Sequence, residues 1–258
     1  GERRYLPQSI REELWNLLEK FSASSSVSDS FNLLGEVLDT PAFSKDEVDN
    51  VRQQISKLEP QNLPVVLSHH NILPHKTPRV SLYTEVLNAG YIRSRLSRCK
   101  RPVIYCHGHV HQDPIEIVIP PEVETSRLVC IAAPEFKDGF NLLEIQYGER
   151  NYALGCIIRQ MRIGDDGALE IRRQIRVPLW ASQDAERVGH PRISEFIGGI
   201  SADVKRFQNT VTDIRSHVNS SVKETTVADV LLECEWLGFV HINNRHEDKE
   251  HWQIRGIR

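Results

Sequence analysis

The sequence predicts a mixed α/β fold followed by a smaller helical module. Helical and strand-like segments alternate at first, the chain becomes almost continuously strand-like from Pro102, and helices return after Trp180. Alternation of this kind is typical of α/β folds, and the later strands resemble an antiparallel run. We therefore assign residues 1–180 to an α/β domain, residues 181–191 to a polar linker, and residues 192–258 to a C-terminal module.

Composition narrows the classes of function. The chain has 258 residues, of which 40% are hydrophobic, enough to build a core. With 32 basic and 35 acidic residues the net charge is −3, so no global field attracts nucleic acid or a membrane. The apolar runs fall far short of the ~20 residues of a membrane span, and no signal-peptide pattern opens the sequence. The five scattered cysteines lack a Cys-x-x-Cys pair, which argues against disulfides and a cysteine zinc site and favours a cytoplasmic location.

Periodic apolar residues and turn signals predict the elements before Pro102. Ser44 is a residue type that caps helix N-termini, and Gly90 is a residue type that commonly ends helices. We expect, in chain order, an amphipathic helix over 5–22, a strand over 31–39, a helix over 44–58, a strand over 65–70 and a short helix over 79–90.

From Pro102 onward, apolar segments of strand-like composition follow one another. They are VIYCHGHVH, IEIVIP, RLVCIAAP, FNLLEIQY, YALGCIIRQMRI and ALEIRRQIRVPLW. The sequence GDDG at 164–167 is a hairpin signal between the last two.

The C-terminal module combines helices with a hairpin. Residues 193–219 have a helical pattern that Gly198 and Gly199 interrupt. A later helix is expected to end at Gly238, and the strand FVHI, a charged turn and the strand HWQIR follow it. A helix followed by a β-hairpin is typical of a winged-helix module, although many small α+β modules share this pattern.

Two strand-like runs end in histidines: LPVVLSHHNILPH at 63–75 and RPVIYCHGHVHQD at 101–113. Residues two apart in a strand share one face, so His109 and His111 can aim at the same point, and Gly108 lets the backbone turn there. Sites in open sheets form beyond the carboxyl ends of the strands. Because imidazole suits divalent transition metals, the pattern favours a metal site at this edge; the alternative is a structural role for each histidine.

The pair VVLSHHN and VIYCHGHVHQD resembles the second half of the calcineurin-like metallophosphoesterases, and the resemblance spans roughly residues 25–175. It implies the second half of an α/β/β/α sandwich, with the later strands in its second sheet. It implies that His69 supplies one metal ligand and that His109 and His111 supply two more. It also implies two divalent ions of the manganese, iron or zinc type and hydrolysis of a phosphoester. The appended module favours a phosphodiesterase or nuclease acting on nucleic acid or a nucleotide.

The first-half motifs of that family, Asp-x-His, Gly-Asp-x-x-Asp and Gly-Asn-His-Asp/Glu, do not occur in the sequence. GEVLD at 35–39 imitates the second motif but stands too close to the His-His strand. The absent motifs would hold the bridging carboxylate and the histidine that protonates the leaving group. We therefore expect a C-terminal half whose N-terminal half is absent, cleaved or on another chain, with no catalytic residue of its own and inactive alone. An oligomer is a further expectation. The alternative is a degenerate domain kept for binding or regulation.

Other polar residues near these motifs have two interpretations each. His70 and Asn71 either line the substrate pocket or orient His69 from behind, and His107 is expected behind the ligands or uninvolved. His75 fits a surface loop. Glu135 and Asp138 are expected in a solvated loop, although they lie within reach of the site mouth.

Basic residues form two further candidates. The cluster Arg93–Arg101 either meets phosphate or is a solvated helix face. In the C-terminal turn, Arg245, Arg255 and Arg258 suit a DNA backbone, but three acidic residues, Glu247, Asp248 and Glu250, share that turn. A protein-binding or dimerisation module therefore fits as well as a DNA-binding one.

Overall fold

The structure is a computed structural model of the chain. It describes residues 3–4, 12, 16, 41–73, 86, 88–108, 115–119, 126–164, 166–180, 187–200 and 203–257. The helix predicted over 5–22 falls outside this part except for Glu12 and Asn16, which are helical, and the strand predicted over 31–39 falls outside it entirely. None of the helices in the described part is both long and apolar enough to cross a membrane.

The described residues form a mixed α/β structure with several sheets, as the sequence predicts. Their helices are α1 (Lys45–Lys57), α2 (Ala89–Ser97), α3 (Pro191–Gly198), α4 (Phe207–His217) and α5 (Glu224–Trp236). Their strands are β1 (Arg3–Arg4), β2 (Pro41–Ala42), β3 (Val65–Leu67), β4 (Val103–His107), β5 (Ile115–Val118), β6 (Leu128–Ala132), β7 (Gly139–Tyr147), β8 (Ala153–Ile163), β9 (Leu169–Pro178), β10 (Lys205–Arg206), β11 (Val240–Asn243) and β12 (Gln253–Gly256).

Helix α1 begins where its sequence predicts. The Ser44 hydroxyl accepts a hydrogen bond from the Glu47 backbone N–H (3.2 Å), and the Glu47 carboxylate accepts one from the Ser44 N–H (3.0 Å). This reciprocal pair satisfies two of the donors that a helix N-terminus leaves open. Val48 and Ile55 are buried on the inner face of the helix.

Within the described residues, the central sheet has the strand order β3-β4-β6-β5. β4 is parallel to both β3 and β6, and only β5 runs antiparallel. The prediction of an antiparallel run from Pro102 is therefore wrong for β4 and β6. Both strands are almost fully buried, and a continuous apolar run is typical of a parallel strand covered on both faces.

The two faces of the central sheet belong to different hydrophobic clusters. Val103 and Tyr105 of β4 pack with Val48, Ile55 and the apolar side chains of α2. Ile104, between them, faces the other way and packs with Cys156 and Ile158 of β8. The order in space is therefore a helix layer, the central sheet and then a second sheet.

The second sheet is an antiparallel meander, β7-β8-β9. The hairpin predicted at 164–167 is confirmed: the Gly164 N–H donates to the Ala168 carbonyl (2.8 Å), the Gly167 N–H donates to the Gly164 carbonyl (2.9 Å), and Gly167 has φ +79°. A positive φ is tolerated at glycine because it has no Cβ.

Gly90 does not end a helix. It is the second residue of α2, whereas the predicted helix at 79–90 lies mostly outside the described residues. Asn88 occupies the N-cap position of α2. Its side-chain amide donates to the Phe43 carbonyl (2.7 Å) and accepts from the Phe43 N–H (3.3 Å), which links the start of α2 to the residue before the α1 cap. Glycine often ends a helix, but Gly90 instead lies in the first turn of one.

The C-terminal helices and hairpin form as predicted. Helix α5 ends at Trp236, Gly238 has φ +76°, and β11 and β12 follow as an antiparallel pair that β10 extends in the order β10-β12-β11. This part shares a continuous hydrophobic cluster with β8 and β9. Residues 181–186 of the predicted linker lie outside the described part, but Val188 is fully buried and Arg187 covers the Trp180 ring.

Candidate functional site

The carboxyl ends of β3, β4 and β6 meet at one edge of the central sheet. The Ser68 N–H donates to the Cys106 carbonyl (3.0 Å), and the Gly108 N–H donates to the His69 carbonyl (3.0 Å). On the other side of β4, the Ala133 N–H donates to the His107 carbonyl (2.7 Å). The parallel ladder therefore continues past the assigned strands and joins the two histidine-bearing segments directly.

His69 and His70 lie side by side at the end of β3. Their ring centroids are 4.7 Å apart with the planes nearly perpendicular. His69 is exposed and His70 is half-buried. The Tyr105 hydroxyl of β4 donates to the His70 carbonyl (2.9 Å) and so links β4 to the backbone that follows β3. The His69 residue is therefore exposed, while the carbonyls of His69 and His70 are both hydrogen-bonded to residues of the β4 segment.

His107 is buried, with 4% of its surface exposed. It lies on the same face of β4 as Tyr105, whose ring centroid is 6.0 Å away, and this face is the one covered by the helices. A buried imidazole at this strand end is compatible with both alternatives for His107, a position behind the ligands or no involvement, so its role stays a prediction.

Asn71 uses its side chain within its own turn. The amide nitrogen donates to the Leu73 carbonyl (2.5 Å) and the amide oxygen accepts from the Leu73 N–H (3.1 Å). Its backbone carbonyl also accepts from the Val86 N–H (3.0 Å). Only 1% of its surface is exposed. Both polar atoms of the Asn71 side chain are therefore engaged within the turn that follows His69 and His70, and the two interpretations of Asn71 stay predictions.

The remaining predicted ligands, His109 and His111, lie outside the described residues, as does His75. Among the residues that are described, no three histidine, cysteine or acidic side chains cluster as a metal site would require. The donor chemistry suits a divalent ion, because His69 offers an exposed imidazole and the sequence adds two imidazoles directly after Gly108.

The loop after β6 contributes charged residues near this edge. Lys137 and Glu135 form an exposed ion pair (2.6 Å), and the Asp138 N–H donates to the Glu135 carbonyl (2.9 Å). This arrangement agrees with the solvated loop predicted for Glu135 and Asp138.

Asn141 is a polar residue at this edge that sequence analysis missed. Its amide nitrogen donates to the Ala132 carbonyl at the end of β6 (2.7 Å). Its amide oxygen is buried without a hydrogen-bond partner. Such an acceptor is costly unless something satisfies it. No local signal singles out Asn141, because β7 also carries the polar residues Glu144 and Gln146.

The two basic groups lie elsewhere. Lys100 and Arg101 precede β4, so this cluster lies toward the opposite end of that strand from His107. Arg245 bonds Glu235 of α5 (3.2 Å) and Arg255 lies on β12, while Arg258 lies outside the described residues. Of these residues, Lys100, Arg101, Arg245 and Arg255 therefore lie away from the histidine edge.

No protein-family model matches the chain, and no curated protein matches it.

Proposed function

We propose that the chain is the C-terminal half of a metal-dependent phosphoester hydrolase, with a phosphodiesterase or nuclease favoured. The observation that carries the proposal is the hydrogen bond between Gly108 and His69. His109 follows Gly108 covalently, and consecutive Cα atoms are about 3.8 Å apart. The residues His69, His109 and His111 are therefore candidates to hold one divalent ion, with His107 and Asn71 supporting them from behind.

The layering supports the same fold type, the metallophosphoesterase sandwich. β3 is at the edge of the described sheet, and its Val65 and Leu67 pair in register with Ile104 and Cys106, whose side of the sheet faces the second sheet. Even so, Val65 is 52% exposed and Leu67 is 79% exposed. An interior face that lies open is expected if further strands, the N-terminal half in this proposal, complete the sandwich.

Metal binding tests the ligand assignment. The full chain, freed of metal by chelator, is titrated with Mn²⁺ or Zn²⁺ by calorimetry. Substituting a residue that supports a metal ligand typically weakens metal binding by roughly 10–100-fold. Because His109 and His111 are proposed as ligands themselves, His109→Ala and His111→Ala are each expected to weaken binding by at least that much. His246→Ala is the matched control, because its side chain is 84% exposed on the C-terminal turn. Equal affinities in all four proteins would end the assignment.

Catalysis is tested separately. The chain alone is expected to hydrolyse no bis-p-nitrophenyl phosphate at a useful rate, because general acid catalysis contributes ~10²–10⁴-fold and the carboxylates that bridge two metals are missing. Manganese-dependent turnover by this chain, abolished by His109→Ala, would contradict that expectation.

A second candidate function is non-catalytic binding or regulation. The absence of the three first-half motifs favours it, since a tri-histidine set can hold one ion but not a bridged pair. An N-terminal half carrying those motifs, supplied in trans, distinguishes the two candidates. Restored turnover supports the hydrolase, whereas metal binding without turnover supports the binding protein.

The C-terminal module has the helix and hairpin order proposed for a winged helix, but its packing favours docking over DNA binding. Helix α5 carries four acidic residues and no basic residue, and seven of its 13 residues are buried. Its Trp236 lies against Gly155 of β8, and Arg176 of β9 bonds Glu235 (3.1 Å). A helix held in this way is not available to a DNA groove. Binding to a DNA duplex is measured by fluorescence anisotropy at 150 mM salt. We expect that Arg255→Ala does not weaken any binding that the wild-type chain shows.

A further inference from the structure

A pocket of about 550 Å³ lies between α1 and α2, away from the histidine edge. Its floor includes two buried residues, Ile55 of α1 and Cys99 after α2. Among the described residues, its charged lining is five cations and one carboxylate, namely Arg52, Arg95, Arg98, Lys100, Arg101 and Asp49. A positive local charge in a chain whose net charge is −3 is not a consequence of overall composition.

Two of these cations are held in place. Arg95 bonds the Asp49 carboxylate (3.0 Å), and its Nε donates to the Tyr91 hydroxyl (3.2 Å). Arg101 donates to the Leu58 and Glu59 carbonyls (2.8 and 2.9 Å), which follow the end of α1. Because Asp49 is the sole carboxylate among the described lining residues and bonds Arg95, it does not balance the positive charge of Arg52 and Lys100 within the pocket.

Two cations, Arg52 and Arg101, act electrostatically on Cys99 in the pocket floor. Burial raises the pKa of the Cys99 thiol, while the positive charges of Arg52 and Arg101 act to lower it. Two guanidinium groups from different segments thus act on the same point. Guanidinium groups offer paired donors that match phosphate oxygens.

The pocket is separate from the proposed metal site. Lys100 and Arg101 precede the first residue of β4, and His107 is its last. The four residue steps of that strand span roughly 13 Å at about 3.3 Å each. Lys100 and Arg101 of the pocket lining therefore lie toward the opposite end of β4 from the histidine edge.

We propose that this pocket binds a small phosphorylated molecule of nucleotide size that carries at least two phosphate charges. The unbalanced cations supply phosphate contacts, and the apolar floor suits a ring. The volume is within the range of pockets that enclose small ligands. A nucleic acid backbone would instead require an extended basic track, and the pocket is bounded by two helices.

The test is calorimetry on the full chain in EDTA with pyrophosphate, ADP and adenosine. Pyrophosphate and ADP are expected to bind, more weakly as salt rises, and adenosine is expected not to bind. EDTA removes any metal from the histidine edge, so the outcome is independent of the proposed hydrolase activity.

Arg52→Ala combined with Lys100→Ala is expected to weaken ADP binding about tenfold or more, since charge-assisted hydrogen bonds contribute on that order. Both side chains are exposed, so folding is not threatened. Lys45→Ala, an exposed change on α1 outside the pocket, is the matched control. Unchanged ADP affinity in the double variant would overturn the proposal. A single-stranded oligonucleotide that binds more tightly than ADP and depends on the same two residues would also overturn it.

Discussion

Gly155 lies on β8 directly against the indole of Trp236. A Cβ built on Gly155 would come within 2.2 Å of that ring, which is itself buried and covered by Arg176. We expect Gly155→Ala to lower the free energy of unfolding by about 1–3 kcal/mol, because an overpacked ring cannot move aside. The urea unfolding midpoint measures this.

Gly90→Ala is the matched control for that change. A Cβ at Gly90 meets nothing within 4 Å, and the residue is helical. Alanine there is expected to stabilise the protein by about 0.5–1 kcal/mol. If Gly155→Ala and Gly90→Ala behaved alike, α5 would not pack on β8 as described.

Buried thiols make stability depend on alkaline pH. Burial raises the pKa of Cys130 and of Cys156 from 9.0 to about 12. Between these pH values the unfolded chain releases protons that the folded chain keeps. The stabilisation is therefore complete below pH 9 and is lost as pH rises toward 12.

Cys156→Ala is expected to flatten that slope, by up to about 1.4 kcal/mol per pH unit between pH 9 and 11. Urea unfolding under reducing conditions at pH 8, 9 and 10 measures it. The variant is less stable overall because a buried sulfur is lost, so the slope rather than the midpoint is diagnostic. An unchanged slope would mean that Cys156 is accessible to solvent.

Local sequence signals predict residues whose partners are close in the chain. Ser44 and Glu47 are three residues apart, and the cap that they form follows from that spacing. The role of Gly155 depends on Trp236, 81 residues further on, and the orphan oxygen of Asn141 depends on how β6 and β7 pack. No local pattern encodes these contacts.

At the scale of elements, β4 shows how burial changes a sequence pattern. It is apolar on both faces because helices cover one and the second sheet covers the other. Its length and composition predict a strand, but its direction follows from the crossover through α2, which period alone does not specify. The histidine edge follows from this parallel pairing, since parallel strands end together.

Helix α5 is fixed by a carboxylate that serves two segments. Glu233 accepts hydrogen bonds from the Glu149 N–H, between β7 and β8, and from the Gly189 N–H before α3 (2.9 Å). Glu233→Ala leaves both donors unpaired and is expected to cost about 1–3 kcal/mol. Glu233→Gln keeps an acceptor and is expected to cost less.

Hydrogen exchange at the Glu149 and Gly189 amides measures the effect of Glu233→Ala locally. Both amides are expected to exchange faster in this variant and to be unaffected in Asp229→Ala, an exposed change on the same helix. Protection that persists without Glu233 would show that the module is held by its apolar contacts alone.

For the whole molecule, the open interior face at β3 makes a prediction about association. Val65 and Leu67 belong to a face that is elsewhere covered, and β3 is an edge strand of the described sheet. Unpaired edges with exposed apolar side chains recruit other strands. The 29.6 kDa chain is therefore expected to self-associate unless a strand-bearing partner accompanies it.

Leu67→Lys is expected to shift sedimentation equilibrium toward the monomer, because a charge on the edge opposes strand pairing and Leu67 makes little contact within the chain. Val204→Lys is the matched control, since Val204 is also exposed but precedes β10 in the C-terminal module. A wild-type chain that sediments as a stable monomer with a cooperative melt would show that the described sheets close their own core. The C-terminal half of a hydrolase would then be the wrong assignment, and an independent binding domain would replace it.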